Sequence, residues 1–213
     1  MLHKIPGEAI RITCDAEEYL HLKDLGQRKL YLSSQIDMLD EDNGPNNFLS
    51  KTGYIIKHIL DFNEEDKDTK IENRKPIRLF INSPGGIICE GFPLVSVIEL
   101  SKTPVYTVNV GTWSSMAFWI GIAGHKRFAL PYTEFLFHEG AIFTGGSNSA
   151  VHDAMDFNKR FNEEVIKKHV LRHSNMSEEM YKAVLREEKY MLPEDALRYK
   201  FIDRIVESLE EIM

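Results

Sequence analysis

The sequence is poor in cysteine and in basic charge, and each shortage excludes a class of protein. Two cysteines, Cys14 and Cys89, occur among 213 residues, and they form no CxxC pair. This excludes a disulfide framework and predicts two buried thiols in a reducing compartment. The formal net charge is −7. Because binding to phosphate groups needs a basic face, a general nucleic-acid-binding protein is not expected.

Long apolar runs are also missing. No stretch of 18 or more apolar residues occurs, and the first residues, MLHKIPGEAIRIT, lack the apolar segment of a secretory signal. We therefore predict a cytoplasmic chain without a membrane partner. Hydrophobic residues make up 43% of the chain, enough to fill the core of one α/β domain.

Short apolar strands and helices alternate from residue 28 onward. The predicted strands are 29–33, 77–82, 105–110, 126–130 and 133–137, and the predicted helices are 54–62, 92–100 and 112–123. This order predicts stacked βαβ units around a mainly parallel sheet. Residues 38–51 are rich in Asp, Asn, Gly and Pro, which predicts a loop. Residues 1–27 are assigned no definite structure.

A long amphipathic helix is predicted over 149–173. Ala154, Phe157, Phe161 and Val165 recur there at spacings of three and four. At 1.5 Å per residue the helix is about 36 Å long, enough to reach beyond a compact domain. It is either a projecting oligomerisation element or a helix packed on the core, and the pattern alone does not separate the two.

Ser115 is a candidate nucleophile. It lies in GTWSSMA, between an apolar strand and an apolar helix. A serine at such a turn exposes its hydroxyl next to the unpaired N–H groups of the helix start, which stabilise an oxyanion. In the alternative interpretation, Ser114 or Ser115 only caps the helix.

Two further sequence features are candidates for a role in catalysis. The turn after strand 77–82 contains Gly85 and Gly86, which permit positive φ and close approach of a ligand backbone. His138 follows strand 133–137, and an imidazole there can serve as a general base. The other seven histidines lie in polar or helical contexts, and we predict no metal site and no organic cofactor.

The motifs LFINSPGG, GTWSSMA, RFALPYTEFLFHEG and EKYMLPEDALRYKFID, in this order, resemble those of the Clp-type serine peptidases, the ClpP family. The resemblance covers most of the chain after residue 28 and implies a peptidase domain over 28–213, with the 149–173 helix as its handle. It implies Ser115 as nucleophile, His138 as general base and Glu188 as triad acid. It also implies an oxyanion hole from the backbone N–H groups of Gly86 and Met116.

The resemblance further implies an assembly and a substrate. Members of the family form heptameric rings, often paired, around a closed chamber that an AAA+ ATPase supplies with unfolded polypeptide. The substrate is expected to bind as an added strand near Gly85 and the stretch from Gly140 to Ser149.

This sequence is a divergent member of that family. Glu188 and Ala117 stand where the family usually has Asp and Gly, and Lys189 replaces an Arg of the ring–ring contact. Lys200 replaces a glycine, which costs roughly 1 kcal/mol if that position is left-handed. The alternatives are therefore a catalytically inactive ring subunit and a processing protease that acts without an unfoldase. A crotonase-type acyl-CoA enzyme shares the stacked βαβ architecture and is a more distant alternative.

Overall fold

The computed structural model describes residues 15–37, 50–185 and 187–213. Its helices are α1 (Ala16–Gly26), α2 (Lys51–Glu65), α3 (Ile88–Leu100), α4 (Met116–Ile122), α5 (Asn148–Phe161), α6 (Lys167–Arg172), α7 (Glu178–Leu185) and α8 (Pro193–Arg198). Its strands are β1 (Lys29–Leu32), β2 (Ile77–Ser83), β3 (Val105–Ser114), β4 (Lys126–Ala129), β5 (Glu134–Phe137), β6 (Lys189–Met191) and β7 (Arg204–Ile205).

The strands form one mainly parallel sheet, which confirms the predicted α/β class. The order is β1-β2-β3-β4-β7, and each of these neighbours pairs in parallel. Helices α2, α3 and α4 connect successive strands from β1 to β4, as βαβ units require. β5 continues the sheet beside the end of β3, and β6 pairs antiparallel with β5.

The long strand β3 corrects one prediction. Residues 112–114 were expected to begin a helix, but they extend β3 and pair with β5, with Trp113 opposite Phe135. Both side chains are fully buried and their rings meet edge to face at 5.4 Å. Strand pairing and burial of a large indole therefore outweigh the helical pattern, and α4 starts only at Met116.

Helix α4 lies directly on β3. All of its residues are buried. A Cβ on Gly121 would lie 2.3 Å from the Trp113 ring, so only glycine permits this approach. The Thr107 hydroxyl on β3 donates to the Gly121 carbonyl at 2.7 Å. These contacts fix the start of α4 at the end of β3, where Ser115 lies.

The predicted helix 149–173 consists of α5, a π-helical turn (Asn162–Ile166) and α6. The Ser147 hydroxyl caps its start by accepting from the Ala150 N–H at 3.3 Å. No residue of α5 is buried, whereas Ile166, His169 and Val170 are. The first half of the helix is therefore solvent-exposed in the isolated chain, and the second half packs on the domain.

Several other expectations need adjustment. Helix α1 occupies most of the described part of the segment 1–27, while residues 1–14 and most of the predicted 38–51 loop lie outside the described residues. Cys89, the second residue of α3, is exposed, so the prediction of a buried thiol is wrong for that residue. Cys14 lies outside the described residues. Lys200 has φ of 60°, so its position is left-handed.

Among the residues described, no helix has the combination of length and apolar character needed to cross a bilayer.

Candidate active site

Ser115 lies in a strained turn between β3 and α4. Its φ of 54° and ψ of −122° place a non-glycine residue in a sparsely populated backbone region, a strain of about 1–3 kcal/mol that is common at functional sites. Its N–H donates to the Leu136 carbonyl at 2.9 Å, which anchors the turn on β5. The Ser115 side chain makes no capping bond to α4. The simple helix-cap interpretation therefore does not describe this hydroxyl.

The Ser115 hydroxyl is instead hydrogen-bonded to His138. Ser115 Oγ and His138 Nε2 are 2.8 Å apart. Each residue follows directly on a parallel strand, β3 or β5, and the pairing of Ser114 with Leu136 brings the two strand ends together. The sheet register therefore places a hydroxyl and an imidazole, 23 positions apart in the chain, in hydrogen-bonding contact.

Glu188 lies on the other side of the His138 ring, but more loosely. The pairing of Phe137 with Lys189 brings Glu188 next to His138. Glu188 Oε1 is 3.7 Å from His138 Nδ1, too long for a hydrogen bond, and the Glu188 side chain is 59% exposed. The Tyr190 hydroxyl donates to the other carboxylate oxygen at 3.2 Å. The carboxylate therefore lies on the Nδ1 side of the ring but is not hydrogen-bonded to it.

The backbone N–H groups of Gly86 and Met116 have no hydrogen-bond acceptor among the described residues. Met116 is the first residue of α4, where an N–H has no partner within the helix. Gly86 has φ of 144°, and a Cβ there would lie 2.1 Å from the Ile36 carbonyl oxygen. Only glycine therefore fits this turn. Their role as an oxyanion hole stays a prediction.

Gly85 packs against the nucleophile turn. A Cβ at this position would lie 2.8 Å from Ser115 Cβ and 2.9 Å from the Met116 nitrogen. Its N–H donates to Ser83 Oγ at 3.2 Å, and its carbonyl accepts from the Ile36 N–H at 2.8 Å. Its backbone groups are thus already hydrogen-bonded, and substrate binding by Gly85 stays a prediction.

Gly140 begins an extended segment beside the site. Its φ is 89°, and residues 141–147 lead without helix or strand to α5. Residues 141–150 are exposed. A substrate strand paired with this segment stays a prediction.

Comparison with known proteins identifies the family. The family model of the Clp protease matches residues 55–209. The chain belongs to the Clp protease family. Over 199 residues it is 27% identical to the ATP-dependent Clp protease proteolytic subunit 1 of Streptomyces avermitilis, covering 92% of this chain and 83% of that protein. Over 190 residues it is 26% identical to proteolytic subunit 2 of Thermobifida fusca, covering 88% and 85%.

Membership in the Clp protease family confirms the resemblance drawn from the four motifs. Serine endopeptidase function is supported at the level of this family. The matched range contains the serine turn, His138 and Glu188. It also supports the peptidase over the crotonase-type alternative.

The structure also brings together residues that the sequence analysis missed. Tyr190 donates a hydrogen bond to Glu188. The sequence could have indicated this contact, because residues two positions apart in an extended chain point to the same face. Glu99, His169 and His173 form a second cluster away from the Ser115–His138 pair. Its signal was the HxxxH spacing of the two histidines, which places both on one helical face.

Proposed function

We propose that this chain is a serine endopeptidase that hydrolyses unfolded polypeptides through an acyl-enzyme on Ser115. The observation that carries the proposal is the 2.8 Å contact between Ser115 Oγ and His138 Nε2, made by a serine in a strained strand-to-helix turn. Acyl transfer also requires stabilisation of the oxyanion, a role that we assign to the backbone N–H groups of Gly86 and Met116. Family membership supplies the expectation of peptide as substrate.

The reaction follows from this arrangement. His138 Nε2 takes the proton from Ser115 as Oγ attacks the peptide carbonyl carbon, and the carbonyl electrons move to its oxygen. The N–H groups of Gly86 and Met116 then stabilise that oxyanion. As the oxyanion collapses, the C–N bond breaks and His138 gives its proton to the leaving amine. Water then gives a proton to His138 and attacks the acyl carbon of the ester. The bond from that carbon to Oγ breaks, Oγ takes the proton back from His138, and the peptide leaves with a new carboxyl end.

Glu188 is assigned the role of a positioning residue in this scheme. Because Nε2 must accept the serine proton, the neutral ring carries its proton on Nδ1, which faces Glu188. A carboxylate there favours this tautomer and stabilises the imidazolium that forms. The 3.7 Å separation supports a weaker effect than a hydrogen-bonded acid would have.

We further propose that the chain acts within a homo-oligomeric ring, single or paired, fed by an AAA+ ATPase in the cytoplasm. The relatives are named as subunits of ATP-dependent proteases. The chain also exposes large apolar side chains on and before α5, namely Phe143 at 95% and Phe157 at 62%. Exposed apolar surface of this kind supports burial against another subunit.

A second candidate, an inactive ring subunit, is favoured by one observation. The triad acid is exposed and lies outside hydrogen-bonding distance of His138. The geometry of Ser115 and His138 favours the active enzyme over this candidate. A processing protease without an unfoldase has no separate structural support.

Labelling with a fluorophosphonate separates the active enzyme from the inactive subunit. The probe forms a covalent bond only with an activated serine, so we expect labelling of the native chain at Ser115 and of no other serine. Ser115→Ala is expected to abolish it. Ser114→Ala is the matched control, because Ser114 Oγ contacts Thr112 and not His138. Native protein that stays unlabelled would establish the inactive subunit instead.

A further inference from the structure

A second cluster of ionisable side chains joins α3 to the end of the handle. Glu99 lies near the end of α3, His169 in α6, and His173 immediately after α6. Glu99 Oε1 is 2.9 Å from His169 Nδ1 and 2.9 Å from His173 Nε2. One nitrogen or oxygen atom from each residue lies within 4.8 Å of the others.

The orientation of His169 is set by a buried carbonyl. His169 Nε2 is 2.9 Å from the Trp119 carbonyl oxygen in α4, and the ring is 5% exposed. A carbonyl only accepts, so Nε2 carries a hydrogen. In the neutral ring, Nδ1 then directs a lone pair at the Glu99 carboxylate. Two acceptors at 2.9 Å repel each other unless a cation lies between them, either a proton or a metal ion.

Several features favour a metal ion. Two imidazoles and a carboxylate are a donor set that zinc uses in proteins. A metal-bound histidine commonly donates its other N–H to a backbone carbonyl, as His169 does to Trp119. We propose that Glu99 Oε1, His169 Nδ1 and His173 Nε2 form a binding site for a divalent transition-metal ion, with Zn²⁺ as the best fit.

Binding the ion would change the distances between the three ligand atoms. Zinc about 2.0–2.1 Å from each ligand in tetrahedral geometry separates the ligand atoms by about 3.3 Å. The two 2.9 Å contacts of Glu99 Oε1 would therefore open by about 0.4 Å. The two histidine nitrogens, which lie within 4.8 Å of each other, would have to come to the same separation of about 3.3 Å. Glu99 and His173 are 25% and 18% exposed, so an ion can reach them from solvent. A water molecule would complete the coordination.

Nearby positive charge opposes the ion and provides a sharp test. Arg172 Nη1 donates to Glu99 Oε2 at 3.1 Å, and the Arg172 side chain is 65% exposed. Arg127 donates to the His173 carbonyl at 2.7 Å but is itself paired with Asp203. Arg172 is thus the main competitor for Glu99, and its removal should strengthen metal binding.

The ion would act as a structural clasp. It would join α3 to α6, and the Trp119 carbonyl links the same histidine to α4, the helix that starts at the nucleophile turn. The site takes no part in the hydrolytic steps.

Calorimetric titration of the metal-free, tag-free full chain with Zn²⁺ tests the site. We expect one saturable Zn²⁺ per chain and a rise in melting temperature that Mg²⁺ does not produce. Glu99→Gln and His173→Gln should each weaken Zn²⁺ binding at least about tenfold, since a ligand is lost. His152→Gln, which changes an exposed histidine of α5, should leave the affinity unchanged.

Arg172→Gln gives a result in the opposite direction. The substitution frees Glu99 Oε2 and removes a positive charge that repels the zinc ion, so Zn²⁺ affinity should rise about three- to tenfold. This variant decides the case even if a ligand variant fails to fold, which circular dichroism without metal would reveal. The proposal is overturned if the native chain binds no Zn²⁺ saturably, if folded ligand variants bind it as tightly as the native chain, or if Arg172→Gln does not raise the affinity.

Discussion

Two histidines contact the same short helix, α4, in the same way but with different tightness. His138 directs Nε2 at Ser115, the N-cap of α4, and Nδ1 at Glu188. His169 directs Nε2 at the Trp119 carbonyl within α4, and Nδ1 at Glu99. Each imidazole therefore lies between α4 and a glutamate.

The difference lies on the glutamate side. Glu99 is 2.9 Å from the His169 ring, whereas Glu188 is 3.7 Å from the His138 ring. In the metal-free chain, hydrogen bonding with His169, and then with His173, holds the pKa of Glu99 at about 2. The His169 side chain is 5% exposed and that of His138 is 24% exposed. The buried His169 therefore links α6 to α3 and α4, whereas the more exposed His138 lies beside the candidate nucleophile and is not hydrogen-bonded to its glutamate.

Glu188→Gln tests the longer contact, between Glu188 and His138, and should reduce activity more than the Glu99 and Tyr190 variants described below. We expect kcat for peptide hydrolysis to fall about 10- to 100-fold, because a well-bonded triad acid contributes about 10⁴ and misplacement by about 1 Å costs about 10². The free energy of unfolding should change by less than about 0.5 kcal/mol, since the side chain is mostly exposed. Steady-state kinetics and urea unfolding measure the two quantities.

The exposed neighbour Glu187 provides the matched control. Glu187→Gln removes the same charge one position away and should leave kcat within about twofold. An equal loss in both variants would show that net charge near the site matters, and not the contact with His138. A loss of about 10⁴ in Glu188→Gln alone would mean that the acid closes on His138 in the working enzyme.

Glu99→Gln tests the shorter contact, between Glu99 and His169, and should reduce stability while leaving activity nearly unchanged. In metal-free buffer at pH 7 we expect the free energy of unfolding to fall by about 1–2 kcal/mol, because His169, His173 and Arg172 lose their charged partner. Activity at a temperature where the variant is folded should stay within about threefold. Glu64→Gln, which breaks the exposed pair with Lys67, is the control and should leave the free energy of unfolding nearly unchanged.

The pH dependence of this stability difference has a defined sign. The ordinary pKa of a glutamate is 4.5, and that of Glu99 in the folded chain is about 2. Its stabilising effect is therefore full above about pH 5 and is lost as the pH falls from 4.5 towards 2. The stability gap between the native chain and Glu99→Gln should shrink over that range. A gap that widened on acidification would contradict the assignment.

Tyr190→Phe should have the smallest effect. It removes the hydroxyl that donates to Glu188 Oε2 at 3.2 Å, and an exposed hydrogen bond of this kind contributes little because water replaces it. We expect kcat to fall about two- to threefold, and to fall no further when Glu188→Gln is already present. Tyr132→Phe, at a fully exposed tyrosine, is the control. A loss that persists beside Glu188→Gln would mean that Tyr190 acts through another group.

The fold was predictable where one pattern decides the element. Strands β1, β2, β4 and β5 lie within one or two residues of their predictions because apolar runs end at turn residues. The prediction that residues 112–114 begin a helix was wrong because the burial of Trp113 against Phe135 depends on β5, a strand that follows later in the chain. Local periodicity carries no information about such a partner.

The candidate site was predictable in its composition but not in its distances. Motif order indicated Ser115, His138, Glu188 and the two N–H donors. The sheet register, which brings Ser115 and His138 to 2.8 Å, is a tertiary property. The extra methylene of Glu188 was visible in the sequence, but the gap to Nδ1 was not. The Glu99 cluster was missed because its carboxylate comes from a helix 70 positions before His169.

The central claim is that Ser115 and His138 act as one catalytic unit. The most direct test is hydrolysis of an unfolded fluorogenic peptide by Ser115→Ala, His138→Ala and the double variant, all in the native assembly. Each single change should reduce kcat about 10⁶-fold, and the double change should reduce it no further, because either loss disables the unit. Hydrolysis that survives Ser115→Ala, or losses that add up in the double variant, would contradict the account.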